Sequence, residues 1–299
     1  MGNNMELNYD MFCYQCEQTA GGKGCTKLGV CGKTPEVAGL QDLLIFQIKG
    51  ISCYAKELLD KGEHISKDIV KFIENSLFTT LTNVNFDPEA HVKLLKESQK
   101  IKEELRTHVR KPAIDTAHAS YDLPDTKTEM LKDAPIVGIM YDANLDPDIR
   151  SLRQTIVYGL KGISAYGHQA RELGYYSDSV DDFYVEALCS TTDDNMGVEE
   201  LIRLTMRTGE MAIEIMKKLD EANTSVYSDP TPHEVNVHIK KGPFIIVSGH
   251  DLKDLEMLLE QTSGKGINIY THGEMLPCHG YPGLKKYLSL IHISEPTRP

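Results

Sequence analysis

Four cysteines fall within the first 31 residues, as Cys13-Tyr-Gln-Cys16, then Cys25, then Cys31. Thiolates at this density suit a metal cluster. The gap holds Gly21, Gly22, Lys23 and Gly24, so the backbone can wrap tightly and offer amide N–H groups to cluster sulfurs. Structural zinc modules usually pair two short hooks, and here only the first pair is short, so the spacing favours an iron-sulfur cage over zinc. Three further cysteines are scattered. Cys53 and Cys189 lie on helical patterns and read as small core residues, and Cys278 is left out of the ligand set.

The elements that must carry this loop are helical. Pro35 follows Thr34 as a first-turn residue, and Leu40, Leu43, Leu44, Ile48, Ile51, Ala55 and Leu58 recur at threes and fours, predicting one buried stripe. Asp87-Pro88 reads as a cap and first position for a helix through Val92, Leu95, Leu105 and Val109. Lys49-Gly-Ile-Ser-Cys-Tyr54 returns as Lys161-Gly-Ile-Ser-Ala-Tyr166, so the chain carries two related units, each expected to hold three helices. The last helix of the second unit is expected to bury Val198, Leu201, Ile202, Ala212, Ile215 and Leu219.

After Asn223 the pattern changes. Gly242-Pro-Phe-Ile-Ile-Val-Ser-Gly-His250 predicts a strand and tight turn, residues 251–261 an amphipathic helix, and Ile267-Asn-Ile-Tyr270 a second strand. Neighbouring parallel strands share one carboxyl edge, so His250 and Glu274, each just past a strand end, should converge as candidate iron ligands. His272 and His279 flank the carboxylate as candidate proton carriers, though neither is assigned.

The expected fold is therefore a mainly α N-terminal region, two tandem three-helix bundles with an iron-sulfur loop, followed by the start of a parallel α/β domain. The expected boundaries are 1–34 for the cysteine-rich loop, 35–111 and 135–222 for the bundles, 112–134 for a linker and 223–287 for the α/β start. Residues 288–299 read as a non-native tail. The net charge of -12, from 44 acidic and 32 basic residues with no basic block, argues against nucleic acid or an anionic membrane as partner. Met1 to Asp10 is polar, no apolar run reaches spanning length, and the cysteines do not form a secreted disulfide framework, so a cytoplasmic location is expected.

Taken together, Met11-Phe-Cys-Tyr-Gln-Cys-Glu-Gln-Thr19, the spacing through Cys31-Gly-Lys33, the paired Lys-Gly-Ile-Ser helices, Ser248-Gly-His-Asp-Leu-Lys-Asp-Leu255, His272-Gly-Glu-Met-Leu-Pro277 and His279-Gly-Tyr-Pro282 resemble the hybrid cluster (prismane) proteins, the hydroxylamine reductases. The resemblance implies that Cys13, Cys16, Cys25 and Cys31 hold a [4Fe-4S] cubane, and that His250 and Glu274 are two ligands of a hybrid [4Fe-2O-2S] cluster. It implies two-electron reduction of hydroxylamine to ammonia and water, with nitric oxide reduction proposed for the family, and an external electron-donor protein as partner.

The family's remaining hybrid-cluster ligands, several cysteines, a glutamate and a lysine, lie beyond the end of this chain. The sequence thus reads as the N-terminal portion of a longer protein, and turnover by residues 1–299 alone is not expected. Two other readings stay open: a non-enzymatic electron-transfer or redox-sensing protein using the cubane alone, and a relative of the nickel-iron carbon monoxide dehydrogenases. The strand-tip pair argues against a pure electron carrier, which has no need of an open mixed-ligand site.

Overall fold

The computed structural model describes residues 11–140 and 145–294. The polar stretch Met1 to Asp10 and the last five residues of the expected tail lie outside the described residues.

The first helix, α1 (Pro35–Asp60), starts where Thr34 accepts a hydrogen bond from the Val37 amide and Pro35 takes a position that needs no N–H. It carries more than the one expected stripe. From Val37 to Ala55 only Asp42 and Ile45 escape full burial, because α2 (Lys67–Thr79), α3 (Pro88–His108), α4 (Ala117–Ser120), α5 (Lys127–Asp133) and α7 (Asp178–Ser190) all pack around it. Its polar side chains are consequently paired inside. Gln47 accepts from Lys102 Nζ at 2.5 Å and donates to Gln99 at 3.2 Å, while Gln41 donates to the Asn85 carbonyl at 3.3 Å. The Asp87 cap holds as expected, its carboxylate accepting from the Glu89 amide at 2.9 Å.

The second triplet is α6 (Pro147–Glu172), α7 and α8 (Val198–Tyr227). In α8, Leu201, Ile215 and Leu219 are buried as expected, but Val198 and Ile202 are 37% and 47% exposed and Ala212 is half-buried. The buried stripe of α8 is thus narrower at its N-terminal end than the periodicity predicts. Residues 112–134, expected as a linker, are integrated into the core: Ala119, Met130 and Leu131 are buried, and the Ala113 amide bonds the Cys53 carbonyl at 2.9 Å.

The chain divides into two compact units, one of Met1–Ala165 with Ser177–Glu214, the other of Tyr166–Tyr176 with Ile215–Pro299. Helices from both triplets thus share the first unit, where α7 packs on α1 and α2.

The second unit contains a parallel sheet in the order β1 (Phe244–Ser248), β2 (Asn268–His272), β3 (Leu290–Ser294). Between β1 and β2 runs α9 (Leu252–Thr262), capped by Asp251, whose carboxylate accepts from the Lys253 and Asp254 amides. A 3-10 segment (Gly273–Gly280) and the short α10 (Pro282–Lys285) lead from β2 to β3. Leu255, Leu259, Ile269, Met275, Cys278 and Leu284 form the core. The sheet runs on past residue 287: Ile269 to Thr271 pair with Leu290 to His292 in register, and the register shifts between Thr271 and His272. Alternating β-branched residues suffice to extend the sheet there. β1 lies outermost, and its Phe244, Ile245 and Ile246 are 59%, 38% and 53% exposed. No described helix is long and apolar enough to cross a membrane.

Candidate functional site

The cysteine loop folds back on itself as a two-residue bridge. The Cys25 amide donates to the Cys13 carbonyl at 2.8 Å and the Cys13 amide to the Cys25 carbonyl at 3.1 Å. Between them Gly21, Gly22 and Gly24 take positive φ, conformations that side chains resist, and a Cβ on Gly24 would stand 2.6 Å from the Phe12 ring. The wrap aims the Ala20 amide at Cys25 Sγ, 3.4 Å away, with Thr19 Oγ1 at 3.8 Å. The Ala20 and Val30 amides hold the Cys25 thiol below its ordinary pKa, and the Thr19 hydroxyl and the Lys33 charge add to them.

The helices seat the loop through residues the sequence did not single out. Gln15, inside the Cys13-to-Cys16 turn, donates to the Thr80 carbonyl at 3.1 Å and accepts from Lys161 Nζ at 3.2 Å. Lys161 opens the second Lys-Gly-Ile-Ser repeat, so that repeat anchors the first cysteine pair. Among the described residues no three His, Cys, Asp or Glu side chains converge on a point suited to one metal ion. A four-iron cube spreads its thiolates wider than a single ion does. The donor set fits such a cube: four thiolates on one glycine-rich wrap, amides aimed at sulfur, and a nearby lysine offsetting negative charge.

In the second unit, Ser248 and His272 are partners in the β1–β2 register, and the residues just past them come together. His250 Nε2 hydrogen-bonds Glu274 Oε2, and both side chains stay largely exposed, at 65% and 71%. A cleft of about 280 Å³ lies beside them, lined by Ser248, His250, Asp251, Leu258 and Met275 among others. The expected convergence at the sheet's carboxyl edge is thus what the structure contains. An imidazole nitrogen and a carboxylate oxygen side by side suit an iron with mixed ligation.

The other candidates sit elsewhere. His279 is buried, its Nε2 2.8 Å from Thr271 Oγ1, which lies 3.0 Å from His292 Nδ1, and burial depresses its pKa to about 4. His272 ends β2 and is half-buried. Cys278 is buried, and desolvation pushes its thiol up to about 12, which keeps it neutral and inert. Cys53 and Cys189 are both fully buried and meet each other, a pairing invisible in their 136-residue separation. Their shared hydrogen bond lowers the Cys53 pKa and raises that of Cys189, and Cys53 Sγ also lies 3.5 Å from Thr192 Oγ1.

Comparison with known proteins follows the same lines. Similar proteins include one named hydroxylamine reductase from Syntrophobacter fumaroxidans, 49% identical over 281 residues, covering 93% of this chain and 52% of that protein. Proteins of the same name from Acetivibrio thermocellus and Bacteroides thetaiotaomicron are 47% and 48% identical, each with 94% of this chain aligned to 51% and 50% of their own lengths. The chain therefore spans about half the length of the curated relatives it matches. The model of the Prismane/CO dehydrogenase family matches residues 11–294, and with the cysteine loop and the strand-tip pair both inside that match, the chain belongs to this family.

Proposed function

We propose that this chain forms the electron-entry half, and part of the reaction centre, of a cytoplasmic iron-sulfur oxidoreductase that reduces hydroxylamine. The observation that carries the reading is the co-occurrence of two donor sets of different chemistry in one chain. One is the all-thiolate loop of Cys13, Cys16, Cys25 and Cys31. The other is the nitrogen-oxygen pair His250 and Glu274, hydrogen-bonded at the strand tips. Relatives named hydroxylamine reductase point to the substrate.

The bound groups, a [4Fe-4S] cube on the loop and a hybrid [4Fe-2O-2S] cluster at the strand tips, would supply one-electron carriers and an iron open to substrate. The four cysteines hold the first group as thiolates. The Ala20 amide and Lys33 stabilise the negative charge these sulfurs bring, which favours the reduced state needed to pass electrons on. Gln15, tied to Thr80 and Lys161, fixes the first cysteine pair so that little rearrangement accompanies electron transfer. His250 and Glu274 hold the second group on one side and leave the neighbouring cleft for a small molecule. Overall, two electrons from an external donor protein and two protons break the N–O bond of hydroxylamine, releasing ammonia and water. Nitric oxide is an alternative substrate of the same site.

The test uses a protein in which these residues are joined to the remaining ligands. Reconstituted anaerobically with iron and sulfide and given hydroxylamine and a reduced viologen dye, it should form one ammonia for every two electrons consumed, and His250→Ala should abolish this. Iron-replete protein that oxidises dye without forming ammonia would refute the assignment in favour of electron transfer or sensing.

A further inference from the structure

The two residues between Cys13 and Cys16 are both held by α6. Tyr14 hydrogen-bonds Tyr158, their rings meeting edge to face at 5.5 Å, and Gln15 accepts from Lys161 Nζ at 3.2 Å, one turn further along the helix. Lys161 Nζ also lies 5.6 Å from the centre of the Tyr158 ring. Its ammonium group is thus fixed against the first cysteine pair, and the residue is only 7% exposed.

Lys33 joins it from the other end of the loop, two residues after Cys31 and 3% exposed. Cys13, Gln15, Lys33 and Lys161 line one cavity of about 20 Å³, room for about one or two waters. Asp42 supplies the one carboxylate of that wall among the described residues. Lys161 lies within electrostatic reach of Lys33, Asp42 and Cys13. Two buried cations against one carboxylate leave a positive excess, which so little water screens weakly. Such an excess is costly unless a negative group answers it, and the thiolate loop brings that charge to the same wall through Cys13.

We propose that Lys161, joined by Lys33, sets the reduction potential of the cube on the cysteine loop, the buried positive charge favouring its reduced form. The inference rests on the reading that the loop holds a [4Fe-4S] cube. One electron from the donor protein adds one unit of negative charge there and makes or breaks no bond, so a fixed cation behind Cys13 stabilises the product more than the reactant. Lys161 therefore has two separable roles. Its N–H seats Gln15, and its charge biases the electron. Through this one residue the second Lys-Gly-Ile-Ser repeat governs how readily the loop of the first accepts an electron.

The test is a potentiometric titration of the chain, loaded anaerobically with iron and sulfide, in the presence of mediator dyes and read by the electron paramagnetic resonance signal of the reduced cube. Lys161→Gln keeps a donor for Gln15 and removes the charge. At a fixed ambient potential it should lower the ratio of reduced to oxidised cube about tenfold, a shift of about 59 mV to more negative values for one electron. Lys161→Arg keeps the charge and should stay close to the unsubstituted protein. Lys33→Gln should also lower the ratio, and it carries the test should Lys161→Gln fail to fold. Equal shifts in Lys161→Gln and Lys161→Arg would mean that the lysine acts by packing alone and would overturn the inference. Unchanged potentials in folded variants holding about four irons would overturn it too and leave the cube in place. A chain that takes up no iron would overturn both the inference and the cube.

Discussion

His250 and Glu274 stand 24 positions apart in sequence, yet their side chains hydrogen-bond across the carboxyl ends of adjacent parallel strands. Only the pairing of Ser248 with His272 in the strand register makes this possible. A shift of one residue would turn every side chain to the opposite face.

If that pair ligates iron, substitution should be local. In a protein with the full ligand set, His250→Gln and Glu274→Gln are each expected to lower iron from about eight to about four atoms per chain, leaving the visible absorbance of the cysteine-held cube. Iron assay with anaerobic absorbance spectroscopy reads both numbers. Loss of both clusters together would show that the pair acts by stabilising the fold.

The loop makes its own prediction. Anaerobic protein should be brown with about four irons held by the loop, and Cys16→Ser should bleach it. Cys53→Ala should keep its iron and lose only about 1 kcal/mol of stability, since the matching position of the second repeat is already Ala165. Zinc in place of iron, measured by elemental analysis, would sink the cube assignment.

The two repeats should respond oppositely to one substitution. A Cβ on Gly50 would stand 2.1 Å from the His118 carbonyl oxygen, a backbone atom that cannot move aside, whereas at Gly162 nothing lies within 4 Å. Gly50→Ala should therefore cost about 3 kcal/mol or more, and Gly162→Ala should stabilise α6 by about 0.5–1 kcal/mol. Urea denaturation of the two variants measures the difference.

Acid should weaken the fold before its carboxylates protonate. Burial depresses the pKa of His91 and His279, the latter to about 4, and drives that of His118 well below the ordinary imidazole value. Below about pH 6.5 the unfolded chain takes up protons that these native imidazoles refuse. Stability, complete above that pH, then falls as the pH is lowered, by up to about 1.4 kcal/mol per pH unit for each histidine. His279→Gln should flatten the slope measured between pH 6.5 and 4.5. An unchanged slope would show that His279 is protonated in the native state.

Local signals carried much of this fold. Thr34-Pro35, Asp87-Pro88 and Asp251 are caps whose side chains act within three residues, so sequence spacing alone places them. The strand tips were legible because turn residues follow each apolar run. Burial that depends on distant partners was not. Nothing in α1 says that five other helices surround it, nor that His118, in an apparent linker, stacks on Phe46 at 4.1 Å. Exposed Val198 and Ile202 satisfy the same periodicity as buried Leu201. Nothing local marks the repeat's lysines as buried, and only the packing shows that both line one cavity.

β1 adds one more consequence. Its only described strand neighbour is β2, so one row of its backbone N–H and C=O groups has no ladder partner, and Phe244, Ile245 and Ile246 face water beside it. Such an edge is a template for any extended chain of similar character. Handled by itself and concentrated, the 299-residue chain is expected to recruit a copy of itself by sheet extension, and its aggregation, not its unfolding, will set how long it survives in solution.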